Sequence, residues 1–434
     1  MRGVSSPPAA FYTCPGEQHA ISRSVHLARL AAFYPVCQSC PHRCDSGLLP
    51  ESVLNTWEAT TPGRISQVRF VGDGLRGRYL NDLTRIEAQQ WAMVLASWLW
   101  DQRPLPGRCD EIDTDQTTAR LPAGPVVVVG YDERVSSPDL AIGVVTGLRR
   151  MGCQVVDLGQ TLKPVWQFAA GQLAADAGMY ITGNGFDAAW TGFDVLGPHA
   201  VPMDDERLWT KWSIAVTQPV SRPTRTPGTL RTWSVTADYE STLWQHFHAL
   251  RPFRVVCGAT SPLMEQLLAR IFPHTPCQFH LVRLSQPRDE DLAAVTAATL
   301  RQAVIETQAD LALGFAVDGQ SVTLMDERGE VLSPAHWLPW LITRTLVEHS
   351  DRNAVVTRRA IEQASALALA RTVIDGGATE FVTRLNTDTA LCGVDDGLRF
   401  WWADATPVCD ALVTLAAILR AASWSGEPLS EQVR

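Results

Sequence analysis

No uninterrupted apolar run in this 434-residue sequence approaches the ~20 residues needed to cross a bilayer. The first fourteen residues, Met1 to Cys14, lack the apolar core that a secretory signal needs. These two absences set the expectation of a cytoplasmic protein with no membrane partner. Basic charge is also short. Lys and Arg number 37 against 46 Asp and Glu, a net charge of −9. No nucleic-acid partner is expected, because binding a phosphate backbone takes a basic face. Charged residues make up only 19% and hydrophobic residues 46%, which excludes a largely disordered chain. At roughly 150 residues per domain, the length predicts about three domains.

A second Cys-x2-Cys pair is missing, although ten cysteines are present. Six of them, Cys109, Cys153, Cys257, Cys277, Cys392 and Cys409, are scattered through apolar segments and read as small buried hydrophobes. The other four, Cys14, Cys37, Cys40 and Cys44, crowd into the first 44 residues. The Cys37-x2-Cys40 turn presents two thiolates to one metal, and tetrahedral zinc takes four ligands. Structural zinc on these four cysteines is the leading expectation; an iron–sulfur cluster and a metal-free state stay open. His19 and His42 are spare ligands. A structural zinc site leaves no open position for catalysis. Residues 1–64 read as a separate module with one helix, Ala20 to Phe33, ended by Pro62-Gly63. So small a module buries little surface, which is the physical reason to staple it.

The rest alternates between strand and helix patterns. Pro125 to Gly130 is a short β-branched run, as in a strand buried on both faces. A helix follows from Ser137-Pro138 to Arg150, then strand Gln154–Leu158, helix Pro164–Ala177 and strand Met179–Thr182. Residues 202–234 are polar and proline-bearing and read as a connection of low regularity. The pattern restarts with strand Phe253–Cys257, helix Pro262–Ile271, strand Phe279–Leu284, helix Glu290–Glu306 and strand Leu311–Val317. A hairpin turns at Asp326-Glu327-Arg328-Gly329. A third round has helix His336–His349, strand Ala354–Val356, helix Ile361–Arg371, strands near Phe381, Ala390 and Arg399, and helix Pro407–Ala421. The alternation predicts mostly parallel sheets covered by helices. The expected organisation is 1–64, 65–205, 206–324 (connection plus a second α/β domain), 325–425 and a tail, 426–434.

Several stretches together resemble the α-D-phosphohexomutase family of phosphomannomutases and phosphoglucomutases, from about Phe70 to about Ala422. Phe70-Val71-Gly72-Asp73-Gly74-Leu75-Arg76-Gly77 is similar to the family's FGTDGIRG opening. Gly130-Tyr131-Asp132-Glu133-Arg134-Val135-Ser136-Ser137-Pro138 matches its GxDxRxSSP segment. Leu158-Gly159 and Lys163-Pro164 keep its order and spacing. The resemblance implies three tandem phosphohexomutase-like α/β/α domains with mixed, mostly parallel sheets, behind the small cysteine-rich module. It also implies an isomerase family of carbohydrate metabolism, whose members move a phosphoryl group through a phosphorylated serine.

The resemblance fails at the chemistry. The family's TASHNP serine loop aligns with Thr182-Gly183-Asn184-Gly185-Phe186-Asp187. Asn184 therefore stands at the serine position, and an amide cannot carry a phosphoryl group. Asp194 stands where the family has a lysine. Ala316-Val317-Asp318-Gly319-Gln320-Ser321 aligns with the magnesium loop DGDxDR. Only Asp318 survives of its three aspartates, so the family's magnesium site is not retained; Asp318 reads as a turn residue before Gly319. The sugar loop GExSGH aligns with Gly393-Val394-Asp395-Asp396-Gly397-Leu398, whose two carboxylates would repel a phosphosugar. Only about a dozen residues follow Ala422, too few for the family's phosphate-binding fourth domain.

These departures predict a catalytically inactive, phosphomannomutase-like binding or scaffold protein, a pseudoenzyme with a protein partner and doubtful phosphosugar binding. No catalytic residue is assigned. Arg76 and Arg134 are candidate anion-binding remnants, with structural ion pairs as the other reading. The alternative function is an active intramolecular phosphotransferase on hexose phosphates. A further reading brings Asp194, Asp318, Asp395 and Asp396 together as acid–base groups in another reaction. Trp401-Trp402 and Trp337/Trp340 are candidates for an exposed binding face, against the plainer reading of core packing.

Overall fold

A computed structural model describes residues 11–54 apart from 15–17, 35, 38, 39, 48, 51 and 52, then 68–103, 124–284 and 292–347, and 349–433 apart from 350, 370, 371, 388, 389, 404 and 405. Cys109 and the Pro62-Gly63 punctuation lie outside these residues. The N-terminal module has strands Phe11–Tyr12 and Ile21–Ser22, paired antiparallel, and a helix, Arg23–Ala31. The helix starts where it does because the Ser22 hydroxyl accepts the Val25 amide, taking one of the free first-turn donors.

Three sheets follow, in chain order. The first has seven strands, in the order 69–71, 74–78, 190–196, 177–181, 126–131, 154–160, 230–232. Its centre is parallel, and antiparallel pairing enters at 177–181 with 190–196. Val127 and Val129 point into one apolar cluster and Val128 into another. That two-sided burial is why the run carries no polar alternation. One face is covered by helices Arg85–Asp101 and Ser137–Arg150. The first opens with a capping box of Thr84 and Glu87. The two helices approach so closely that a Cβ on Gly147 would lie 2.4 Å from the Gln89 carbonyl oxygen.

The second sheet has four strands, in the order 278–283, 254–259, 311–315, 322–325, and the third five, in the order 372–374, 353–357, 390–394, 400–402, 408–409. The largest apolar cluster runs through all three, from Val128 and Tyr180 through Val255 and Leu313 to Val394 and Leu415. The chain therefore has mixed, mostly parallel α/β architecture with one apolar cluster common to all three sheets. Among the described residues, no helix is long and apolar enough to cross a membrane.

Three expectations need correction. Phe381 lies on a helix, Ala378–Thr387, not a strand. Phe381, Val382 and Leu385 are its buried residues, a helical spacing in a β-rich composition. The stretch 202–234 is more regular than its composition suggests. It holds helix Glu206–Ala215, capped by Asp205, and strand Leu230–Thr232 on the edge of the first sheet. Trp209 and Trp212 on that helix complete the first sheet's apolar cluster. Finally, Trp337, Trp401 and Trp402 are buried, so they form no exposed face. The last residues also pack, since Leu429 and Val433 join the largest cluster.

Candidate functional site

The candidate site gathers at loops that follow strands of the three sheets, where α/β folds place ligands. The first loop, 182–189, joins strands 177–181 and 190–196. Arg134 holds it from behind. Its Nη1 donates to the carbonyl oxygens of Asp187 at 2.6 Å and Trp190 at 3.0 Å, and its Nη2 to that of Phe186 at 2.9 Å. The Asp132 carboxylate accepts from the Arg134 amide at 3.0 Å and the Gly183 amide at 3.3 Å. Gly183 is required here, because a Cβ would meet the Trp190 oxygen at 2.2 Å. Burial lowers the Arg134 pKa, with Asp132 only partly offsetting it. Arg134 is thus a loop clamp, and its fork is spent on carbonyls.

Asn184, at the tip of this loop, is exposed. Its backbone N–H donates to the Thr182 hydroxyl at 3.0 Å, and its side-chain amide donates to Asp318 at 2.8 Å. Asp318 also accepts the Gln320 amide at 2.9 Å, the Asx turn expected before Gly319. The position aligned with the family's serine and the surviving aspartate of its magnesium loop are therefore joined to each other by an amide–carboxylate hydrogen bond.

Behind the loop lies a buried ion network that the sequence did not reveal. Asp194 pairs with Gly74 and Tyr180 on its two neighbouring strands, and this register faces it to Arg76 on strand 74–78. Arg76 Nη2 lies 2.7 Å from Asp194 Oδ1, an ion contact rather than an aligned hydrogen bond. Lys163, one of only two lysines in the chain, donates to Asp194 at 2.7 Å and to Asp73 at 3.2 Å. Burial by itself would raise the Asp194 pKa, but Arg76 and then Lys163 outweigh it and hold the carboxyl down at about 2. Burial likewise disfavours the Lys163 charge, and Asp194 and Asp73 reverse this and raise its pKa. Arg76 further donates to the carbonyl oxygens of Leu75, Phe193 and Asn184. Its remaining capacity for an external anion is small.

The loop 395–399, between strands 390–394 and 400–402, completes the network. Asp395 accepts Arg399 Nε at 2.8 Å and Trp401 Nε1 at 2.8 Å. Burial opposes the Arg399 charge, but Asp395 overrides this and raises its pKa. Arg399 also donates to Gln320 at 3.0 Å, and Gln320 to Gln167 at 3.5 Å, tying the three sheets together. Asp395 is therefore neutralised from within, contrary to the expected repulsion. Asp396 is exposed, and its carbonyl oxygen takes the Gln363 amide at 3.0 Å. Asp194 and Asp395 are each held in ion pairs and Asp318 in an amide contact, and no hydrogen bond joins any two of the four carboxylates. Asp73, Lys163, Gln320 and Arg399 were missed as site residues. Of the ion pairs among these residues Asp395–Arg399 is local, at i,i+4; those of Lys163 with Asp73 and Asp194 join positions far apart in sequence.

In the N-terminal module, Cys14, Cys37 and Cys40 are buried and Cys44 is exposed. Burial raises the Cys37 pKa, and Cys14 and Cys40 raise it further. The Cys40 amide donates to the Cys37 carbonyl at 3.3 Å, closing a turn. Among the described residues, no three His, Cys, Asp or Glu side chains are placed to hold a metal ion. His42 packs edge-on against Tyr12, and His26 stacks on that same ring at 4.1 Å.

Comparison with known proteins bears on residues in and around this site. Residues 115–210 match the family model described as phosphoglucomutase/phosphomannomutase, alpha/beta/alpha domain I. A "Probable phosphoglucosamine mutase" of Methanothermobacter thermautotrophicus is 28% identical over 218 residues, covering 48% of this chain and 47% of its own length. The chain thus spans about half the length of that relative. The phosphoglucosamine mutase of Leuconostoc mesenteroides is 24% identical over 330 residues, covering 71% of this chain and 70% of its own. Among solved structures, a phosphoglucomutase/phosphomannomutase family protein from Burkholderia thailandensis superposes with a TM-score of 0.69 at 19% identity, over 85% of this chain and 80% of that one. At that identity the likeness carries the fold alone.

Proposed function

We propose that the chain is a member of the α-D-phosphohexomutase family, on its domain I match at residues 115–210 and its 24% identity to a phosphoglucosamine mutase over 330 residues, and that it binds rather than catalyses, as a scaffold built on the mutase fold. The observation that carries this reading is Asn184. It stands where the family has its phosphorylated serine, and its amide is engaged with Asp318. An amide has no activatable oxygen to take up a phosphoryl group.

The ion network supports the same reading. Arg76, Lys163 and Arg399 are matched by Asp73, Asp194 and Asp395. A phosphosugar would have to draw a cation away from its buried partner, at a cost of about 3–5 kcal/mol. The family's phosphate-facing arginine position has thereby become an internal strut. Asp194, standing at the family's lysine position, is the residue that makes it so.

We assign the protein to the cytoplasm, which the free thiols of the nine described cysteines suit. For the N-terminal module the proposal remains a structural zinc held by Cys14, Cys37, Cys40 and Cys44, on the chemistry of the donor set. No three of these side chains stand together as ligands here, so the loops that carry them would have to move to form the site.

A coupled assay with glucose 1-phosphate and mannose 1-phosphate tests the central reading. No turnover above background is expected. Turnover that disappears in Asn184→Ala would mean that the site is catalytic and overturn the proposal.

A further inference from the structure

A second site lies where helix Lys163–Gln172, helix Thr236–Trp244 and the third sheet meet. It is an open pocket of about 570 Å³ when the solvent at its mouth is counted. Two edge-on aromatic pairs wall it. Phe168 and Tyr239 stand 5.7 Å apart, and His246 and Trp402 5.5 Å apart. Leu243, Val408 and Val413 complete an apolar lining.

One carboxylate faces this lining. Asp410 is 2% exposed and caps the helix Ala411–Ser423. Its Oδ1 accepts the Leu412 amide at 2.7 Å and the Val413 amide at 3.3 Å, and its Oδ2 accepts the Tyr239 hydroxyl at 2.6 Å. A carboxylate offers about four lone-pair sites, so Oδ2 keeps one. Among the described residues, no lysine or arginine lines the pocket.

We propose that this pocket binds a small organic ammonium ion, its apolar or aromatic body held by Leu243, Val408 and Val413 and its charge set between Asp410 and the aromatic walls. An ammonium is attracted to an aromatic face through the ring quadrupole. It also supplies a second donor to Asp410 Oδ2 beside the Tyr239 hydroxyl, as a charge-assisted hydrogen bond. A carboxylate ligand would meet Asp410 as a like charge, and a neutral one would gain only the apolar contact. Burial pushes the Asp410 carboxyl up to about 6, against the hydrogen bonds that favour its charge. A bound cation would relieve that penalty. The inference is independent of whether the mutase-like cleft turns over any substrate.

Ligand-observed NMR titration of the full chain tests it with three probes of similar shape: phenethylammonium, phenylacetate and 2-phenylethanol. Phenethylammonium is expected to bind, and the other two at least about tenfold more weakly, as one charge-assisted contact implies. Asp410→Asn keeps a good helix cap and should weaken the ammonium by about tenfold or more. Val408→Trp fills the pocket and should abolish binding of all three. Thermal unfolding of both variants checks that they fold, and should Asp410→Asn not fold, Val408→Trp and the probe series decide. Equal binding of the three probes, no binding of phenethylammonium, or unchanged binding in either folded variant would overturn the proposal.

Discussion

Replacing Asp194 with asparagine removes the carboxylate that serves two buried cations while keeping its shape. The side chains of Arg76 and Lys163 are 5% and 9% exposed, and each lies 2.7 Å from Asp194. An exposed ion pair would be worth no more than about 1 kcal/mol. Leaving buried cations without their partner costs about 3–5 kcal/mol. A second route uses the acid titration. The Asp194 carboxyl is lowered from 3.8 to about 2, which at about 1.4 kcal/mol per pKa step gives about 2 kcal/mol. The two routes bracket the loss at about 2–5 kcal/mol. Because the folded pKa is depressed, this stability is present in full above about pH 4. It is lost as pH falls from there through about 2. Urea unfolding of the wild type and Asp194→Asn, at pH 7 and across the acid range, measures both. The difference between the two proteins should shrink as pH falls below 4. Lys163→Met, combined with Asp194→Asn, should cost less than the sum of the single changes, because the sites share one interaction. A loss below about 1 kcal/mol at pH 7, or a difference constant with pH, would refute the reasoning.

Other consequences follow from the neighbouring contacts. Asn184→Asp sets two carboxylates against each other across 2.8 Å in place of a hydrogen bond. It should destabilise the chain by about 1 kcal/mol at pH 7, with recovery below about pH 4, as read by thermal unfolding. Arg134→Lys keeps the charge but loses the fork that binds three carbonyl oxygens. Amide exchange across 183–190 should accelerate, corresponding to about 1–3 kcal/mol of lost local stability, with little change elsewhere. For the N-terminal module, elemental analysis of protein purified without chelator should find one zinc per chain, reduced by Cys37→Ser. Absence of metal together with ready thiol labelling of Cys44, Cys40 and Cys37 would count against that site.

The scaffold was legible in the sequence because its signals are local. The valine run at 126–129 and Pro262 at the start of helix Pro262–Ile271 each announce one element. The Asx turn at Asp318 was legible for the same reason. Phe381 was misread because Phe381, Val382 and Leu385 sit in a segment rich in threonine and other strand-favouring residues, where a helical spacing of only three apolar positions is easily missed. The role of Asp194 could not be read locally. Its partners lie 118 and 31 residues away, and they meet only through the register of strands 74–78 and 190–196 and the start of helix 163–172. The sequence registered Asp194 as a lost lysine. In the fold it is the buried partner of Arg76 and Lys163. Asp395 was misjudged in the same way, as a repulsive charge, although Arg399 stood four residues on.

The claim that this chain binds rather than catalyses is tested most directly by covalent phosphorylation. A mutase of this family carries its phosphoryl group on the loop that here holds Asn184. Intact-mass and peptide-map measurement after incubation with glucose 1-phosphate should find no phosphoryl group on the peptide that contains Thr182 to Trp190. A phosphoryl group on that peptide, with turnover of the sugar phosphate at a matching rate, would contradict the account.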